Sequence, residues 1–129
     1  MFTIEETEIM LNEVAEELPP IFYRDLNGGI LLKDEVKYHP QGRADDLYIM
    51  GMYHRHPGMG RYIEIFYGSF VKMYGHRSAE YYKDQLRRVL RHEFRHHIEG
   101  LAGENALEIE DEIQLRRYLD EADRLDRSR

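Results

Sequence analysis

Three features of the sequence predict a small α+β domain. Segments with apolar residues at helical spacing stand at both ends of the chain, and between them lies a region rich in aromatic and β-branched residues broken by glycine turns. At 129 residues the chain is long enough for one domain with a modest core and too short for two, so residues 1–129 are read as a single domain. Hydrophobic residues make up 42% and aromatic residues 12% of the chain, the content of a folded protein, while 33% charged residues and a mean hydropathy of −0.69 imply a thin core under a wet surface.

The first helix is predicted to start at Thr3, which with Glu6 forms a capping-box pattern, and Ile4, Met10, Leu11, Val14 and Leu18 then recur at helical spacing until Pro19-Pro20 stops the run. Glu13, Glu16 and Glu17 are expected on its outer face. Ile21 to Leu26 fits either a short helical turn or an extended piece. Asn27-Gly28-Gly29 signals a turn before Ile30-Leu31-Leu32, a candidate strand. Lys33 to Asp46, with His39-Pro40-Gln41-Gly42 and two adjacent aspartates, reads as a loop, and its lone His39, a candidate ligand, is expected in solvent. Leu47–Tyr53 and Arg61–Tyr67 form a predicted hairpin joined by residues 54–60. In the second strand Tyr62, Glu64 and Phe66 point one way and Ile63, Ile65 and Tyr67 the other.

A short helix is expected over 68–74, closed by Gly75. Ser78 then caps a long helix predicted to run to Glu99 and to end at Gly100. On a wheel of about 100° per residue, Tyr82, Leu86, Val89, Leu90, Glu93, Phe94 and His96 share one arc, with His92 at its edge. Arg87, Arg88, Arg91 and Arg95 fill the opposite side, read as a solvated face. A final helix is predicted from Glu104 to about Arg124, packing through Leu107, Leu115, Tyr118 and Leu119, with Asp123–Arg129 fraying.

Composition narrows the function. The formal net charge of −7 argues against nucleic-acid binding, which needs a basic face to neutralise phosphates. Without cysteine there are neither disulfides nor thiolate metal sites, so any metal must be held by His, Asp or Glu. No apolar run approaches the length of a membrane span, and the first 18 residues carry glutamates where a leader peptide is basic. A cytoplasmic protein with no membrane partner is expected.

Within the long helix, His92-Glu93-Phe94-Arg95-His96 has the form H-E-x-x-H. Residues four apart stand one above the other on a helix, so the imidazoles of His92 and His96 can converge on one Zn²⁺, with Glu93 beside them as general base for an attacking water. Ionisable groups on an apolar arc cost several kcal/mol unless something compensates them. A metal does so, and a purely structural His–Glu network is the competing account. His97, on the same side, is read as a packing residue or one that orients a ligand.

The third ligand is left open by the spacing. Glu104 follows the Gly100–Gly103 bend, where the chain can turn back under the metal, and is the preferred candidate. Glu99 shares a flank with His92 and His96, but one straight helix rarely brings positions i, i+4 and i+7 to a single ion, and an i, i+4 pair with Arg95 is its simpler role. Glu108 is held in reserve. His54 and His56 form an H-x-H pair in the hairpin loop that can bind metal and complete the site of His92 and His96, but alternation in an extended backbone sets them on opposite sides and makes joint chelation awkward.

The stretch from His92 to Glu104, including the doubled His96-His97, resembles the site of the small bacterial zincin-like metallopeptidases, the minimal matrix-metalloprotease-like domains. The segment from Leu47 to Phe70 is also similar to a subgroup of that family, and the likeness extends from the Asn27-Gly28-Gly29 turn through Glu104. The resemblance implies a small sheet over the active-site helix, zinc on His92 and His96, Glu93 as base and a peptide or protein substrate. The chain departs from the family pattern H-E-x-x-H-x-x-G-x-x-D, since Glu99 and Ala102 stand where that pattern has Gly and Asp. Glu104 matches the acidic ligand only with two residues inserted at the turn. A zinc peptidase is therefore the expectation. Its rivals are a zinc-binding interaction module of the same fold without turnover and a metal-free helical adaptor.

Overall fold

The computed structural model describes residues 1–40 and 47–127; the end of the predicted 33–46 loop, including its two aspartates, lies outside the described residues. Among the described residues, four helices and a three-stranded mixed sheet make an α+β fold: α1 (Ile4–Glu16), a 3-10 turn (Pro20–Tyr23), β1 (Gly29–Lys33), β2 (Gly51–His56), β3 (Gly60–Phe66), α2 (Tyr67–Tyr74), α3 (Ala79–Gly103) and α4 (Ile109–Arg127). The strand order is β1-β3-β2, with β1 parallel and β2 antiparallel to β3. No helix among the described residues is long and apolar enough to cross a membrane.

Local chemistry sets the element ends. The capping box forms as expected: Thr3 Oγ1 accepts from the Glu6 N–H at 3.1 Å, and Glu6 Oε1 accepts from the Thr3 N–H at 2.9 Å. Pro20, which lacks an N–H to miss, opens the 3-10 turn. The hairpin differs from expectation. β2 starts at Gly51 and continues through His56, so His54, Arg55 and His56 belong to the strand, and only residues 57–59 form the loop. Gly60, at φ +76°, supplies the left-handed residue that a three-residue connection needs. Gly68, in the first turn of α2, stands where a Cβ would lie 2.6 Å from the backbone at Glu35 and Val36, so no larger residue fits that crossing.

The long helix also runs further than expected. Gly100 does not end it, because Ile98 and Leu101 on either side are buried and hold the backbone helical through Gly103. A helix-interior glycine costs about 1 kcal/mol, which two buried aliphatic side chains exceed. The stop comes from Asn105, in the left-handed conformation at φ +56°. Its N–H bonds Ala102 O at 3.0 Å and the Ala106 N–H bonds Leu101 O at 2.8 Å, a Schellman termination with asparagine in the place glycine usually takes.

α3 is the axis of the molecule, with β2 and β3 packed on one side and α1 and α4 on the other. Tyr82, Leu86, Leu90, Phe94 and Ile98 are buried along it, against Leu11 and Val14 of α1, Ile63 and Ile65 of β3, and Leu115 and Leu119 of α4. The arginine side of α3 is not the solvated face expected from the wheel. Arg87 forks onto Glu17 at 2.7 and 2.9 Å, Arg91 pairs with Asp126, and Arg95 pairs with Asp123 at 2.8 Å and Asp120 at 3.1 Å. Two neighbouring helices supply the acids, so these arginines line interhelical seams.

Candidate metal centre

His92 and His96 stand on the flank of α3, four residues apart, and both are exposed. Their Nε2 atoms face each other at 3.2 Å with the rings at 85°. Two tetrahedral positions on a zinc ion with bonds of about 2.05 Å lie roughly 3.3 Å apart. The nitrogens are therefore spaced as a pair of ligands to one ion, and the donor set fits zinc. Glu99 Oε1 lies 3.6 Å from His96 Nδ1, the nitrogen turned away from His92. Glu99 therefore flanks His96, whereas the expected Arg95 partner is taken by α4.

Glu93 lies between the histidines and the sheet, with 6% of its surface exposed. Burial raises its pKa above the ordinary carboxylate value, opposed by the nearby His92, His96 and His54 and by a hydrogen bond from the Tyr53 backbone N–H. That N–H is free to reach Glu93 because β2 is an edge strand. Met50 O accepts from the Phe66 N–H at 3.0 Å, so in antiparallel alternation the N–H and C=O groups of Gly51, Tyr53 and Arg55 point away from β3. The burial inferred from the wheel thus holds for Glu93 but not for His92 and His96, which the open strand edge leaves accessible.

His97 is fully buried and both its nitrogens are occupied. Nε2 lies 2.8 Å from the Arg24 carbonyl oxygen, which only accepts, so Nε2 carries the proton; Nδ1 then accepts from the Tyr53 hydroxyl at 2.8 Å. Burial lowers its pKa and keeps it neutral. Its role is to hold β2 against α3, through the residue whose backbone holds Glu93. Nothing in the sequence singles out Tyr53 as a site residue. Its aromatic character marks it as a strand residue, but nothing local says that it meets Glu93 and His97, forty and more positions away.

The segment entering β2 and α3 also frame a cleft of about 350 Å³ beside Glu93, lined by Ile49, Met50, Gly51, Arg88, Val89 and His92. Gly51 admits no side chain there without crowding, since a Cβ would sit 3.0 Å from Val89 Cγ1.

The other candidate ligands lie elsewhere. Glu104, at the C-cap of α3, directs one oxygen to Arg55 and the other to Arg61, so the expected turn of the chain back under the metal does not occur. The reason is the extra turn of helix beyond Gly100, which carries Glu104 toward the tip of the hairpin. Glu108 is exposed just before α4. His54 bonds Glu64 Oε1 at 2.6 Å and stacks on Tyr62, and His56 Nδ1 accepts from the Gly58 and Met59 N–H groups, capping the hairpin loop. His39 is half-buried, bridged through its N–H to Leu47 O at 2.8 Å. Among the described residues no three His, Cys, Asp or Glu side chains converge to hold a metal. His92, Glu93 and His96 are brought together; Glu104, Glu99 and Glu108 do not join them as a third ligand.

No family model and no curated protein matches the chain. Among solved structures, a conserved hypothetical protein from T. thermophilus is similar, with a TM-score of 0.66 and 28% identity over 79% of this chain and 99% of that one.

Proposed function

We propose that this protein is a zinc-dependent metallopeptidase of the minimal zincin-like kind, with His92 and His96 as metal ligands and Glu93 as general base. The reading rests on one observation above all: two imidazole nitrogens 3.2 Å apart on an accessible helix flank, beside a buried carboxylate. Bound there, zinc supplies Lewis acidity that polarises a carbonyl and makes water a better nucleophile. Glu93 is the group placed to take a proton. The Tyr53 N–H orients its carboxylate, and His97 in turn holds Tyr53. The open edge of β2 offers backbone groups to an extended peptide.

The acidic, cysteine-free composition favours a cytoplasmic protein acting on a peptide or protein substrate, without nucleic-acid or membrane partners. A second reading is favoured by the two-ligand set among the described residues: a zinc-binding interaction module of the same fold without turnover.

The test is zinc content after purification without added metal, followed by cleavage of a peptide library. The peptidase reading expects one zinc per chain, lost in His92→Ala and His96→Ala, and cleavage lost in Glu93→Gln with zinc retained. Zinc without cleavage selects the module. A protein with no zinc affinity overturns both.

A further inference from the structure

Beyond the histidines, toward the C-terminal end of α3, the hairpin tip and the helix end enclose a recess of about 350 Å³ lined by Arg55, His56, Pro57, Gly60, Arg61 and Glu104. Its polar groups are mostly donors. Arg55 and Arg61 each give one terminal nitrogen to Glu104. The Nε of Arg61 is buried without a partner. His56 Nδ1 accepts two backbone N–H groups, at 3.0 and 3.2 Å, so its proton sits on Nε2. Two guanidiniums and one carboxylate leave one net positive charge, in a chain whose overall charge is −7.

The recess is aligned with the candidate metal centre. β2 runs beside α3 with Gly51 against Val89, the Tyr53 N–H on Glu93, and Arg55 beside Gly100, where a Cβ would lie 3.8 Å from Arg55 Cδ. Gly100 is one turn beyond His96, about 6 Å along the helix axis. An extended peptide advances about 3.3 Å per residue, so a group roughly two residues from a peptide bond held at His92 and His96 reaches Arg55.

The geometry points to this recess as a binding site for a carboxylate of the peptide substrate, held by Arg55 and Arg61 about two residues from the scissile bond. A carboxylate matches the residual charge of one; a phosphate dianion exceeds it. Glu104 shows that the arginine pair accepts this chemistry, and it competes with the ligand for the same donors. The substrate register rests on the peptidase reading, whereas the anion site itself does not need the metal.

The experiment is an NMR titration of the zinc-free protein, so that a missing metal site cannot hide the result. Three peptides serve as probes: Ac-Ala-Phe-Ala-Glu-amide, Ac-Ala-Phe-Ala-Gln-amide and Ac-Ala-Phe-Ala-Gln with a free C-terminus. At least one charged peptide is expected to bind about tenfold more tightly than the neutral amide, the size of one good charge-assisted contact, and to shift the amides of Arg55, Gly60 and Arg61. Tighter binding of the Glu amide assigns the site to an acidic side chain; tighter binding of the free acid assigns it to a C-terminus. Arg55→Gln, at a side chain 53% exposed, is expected to abolish the preference without altering the fold. Glu104→Gln is expected to tighten both charged peptides and leave the neutral one unchanged, an outcome that a clamp serving only to hold the helix end would not give. Equal affinity for all three peptides, no shifts at millimolar peptide, or charged-peptide binding unchanged or weakened by Glu104→Gln overturns the proposal.

Discussion

Replacing Tyr53 by Phe removes the hydroxyl that donates to His97 Nδ1 at 2.8 Å and leaves the ring in place. The imidazole cannot recover a partner by turning over, because its other nitrogen donates to the Arg24 carbonyl at 2.8 Å and the residue is fully buried. The cost is therefore that of a buried acceptor left unmade, about 1–3 kcal/mol. For a domain of this length each kcal/mol moves the melting temperature by roughly 3–5 °C, so a central cost of about 2 kcal/mol lowers Tm by about 6–10 °C. Calorimetry on the zinc-free protein measures the shift, and a double-mutant cycle with His97→Phe isolates the pair. The coupling in that cycle is expected at about 1 kcal/mol or more. The proposed zinc site at His92 and His96 is expected to be unaffected, since their Nε2 atoms face each other on the exposed flank. A Tm drop below about 2 °C, or additive single changes, would refute the view that Tyr53 and His97 clamp β2 to α3.

The docking of α4 gives a graded test: Asp126→Ala unpairs the nearly buried Arg91 and is expected to cost about 3 kcal/mol, whereas Asp120→Ala, at a side chain 71% exposed, is expected to cost less than about 0.5 kcal/mol, both read by denaturant unfolding. Leu115→Ala, which removes a buried anchor of the same helix, is expected to cost about 2–5 kcal/mol. Glu93→Gln is expected to stabilise the zinc-free protein at neutral pH. A carboxyl whose folded pKa is raised binds its proton more tightly in the native state, so wild-type stability falls as pH rises through the window above the unfolded value and the variant escapes that loss; a variant no more stable than wild type at pH 8 counts against the burial of this charge. His97 has the opposite sign of linkage: its folded pKa is lowered, so the unfolded chain takes up the extra proton and stability falls as pH drops below about 6.5, a loss that should shrink in His97→Gln.

Much of this architecture is legible in the sequence because it is local. Helical spacing from Thr3 to Leu18 and from Ser78 onward, the Thr3–Glu6 capping box, the Pro19-Pro20 stop and the two aromatic segments around Pro57-Gly58 identify the helices and the hairpin from residues a few positions apart. The spacing of His92 and His96 likewise places them on one flank, because four residues make about one helical turn. What the sequence leaves open depends on partners far along the chain. Asn105 rather than Gly100 ends α3, since burial of Ile98 and Leu101 outweighs a glycine's backbone preference. The arginines of α3 are seam residues because α1 and α4 bring acids to them from up to 70 positions away. Tyr53 joins Glu93 and His97 only when β2 lies along the helix, and Glu104 goes to Arg55 and Arg61 because one more turn of helix carries it past the histidines. By itself the sequence determined the helix bearing His92, Glu93 and His96; the tertiary structure decided which of these groups are buried and which acids surround them, because burial and ion pairing are set by what packs against a face and not by the face alone.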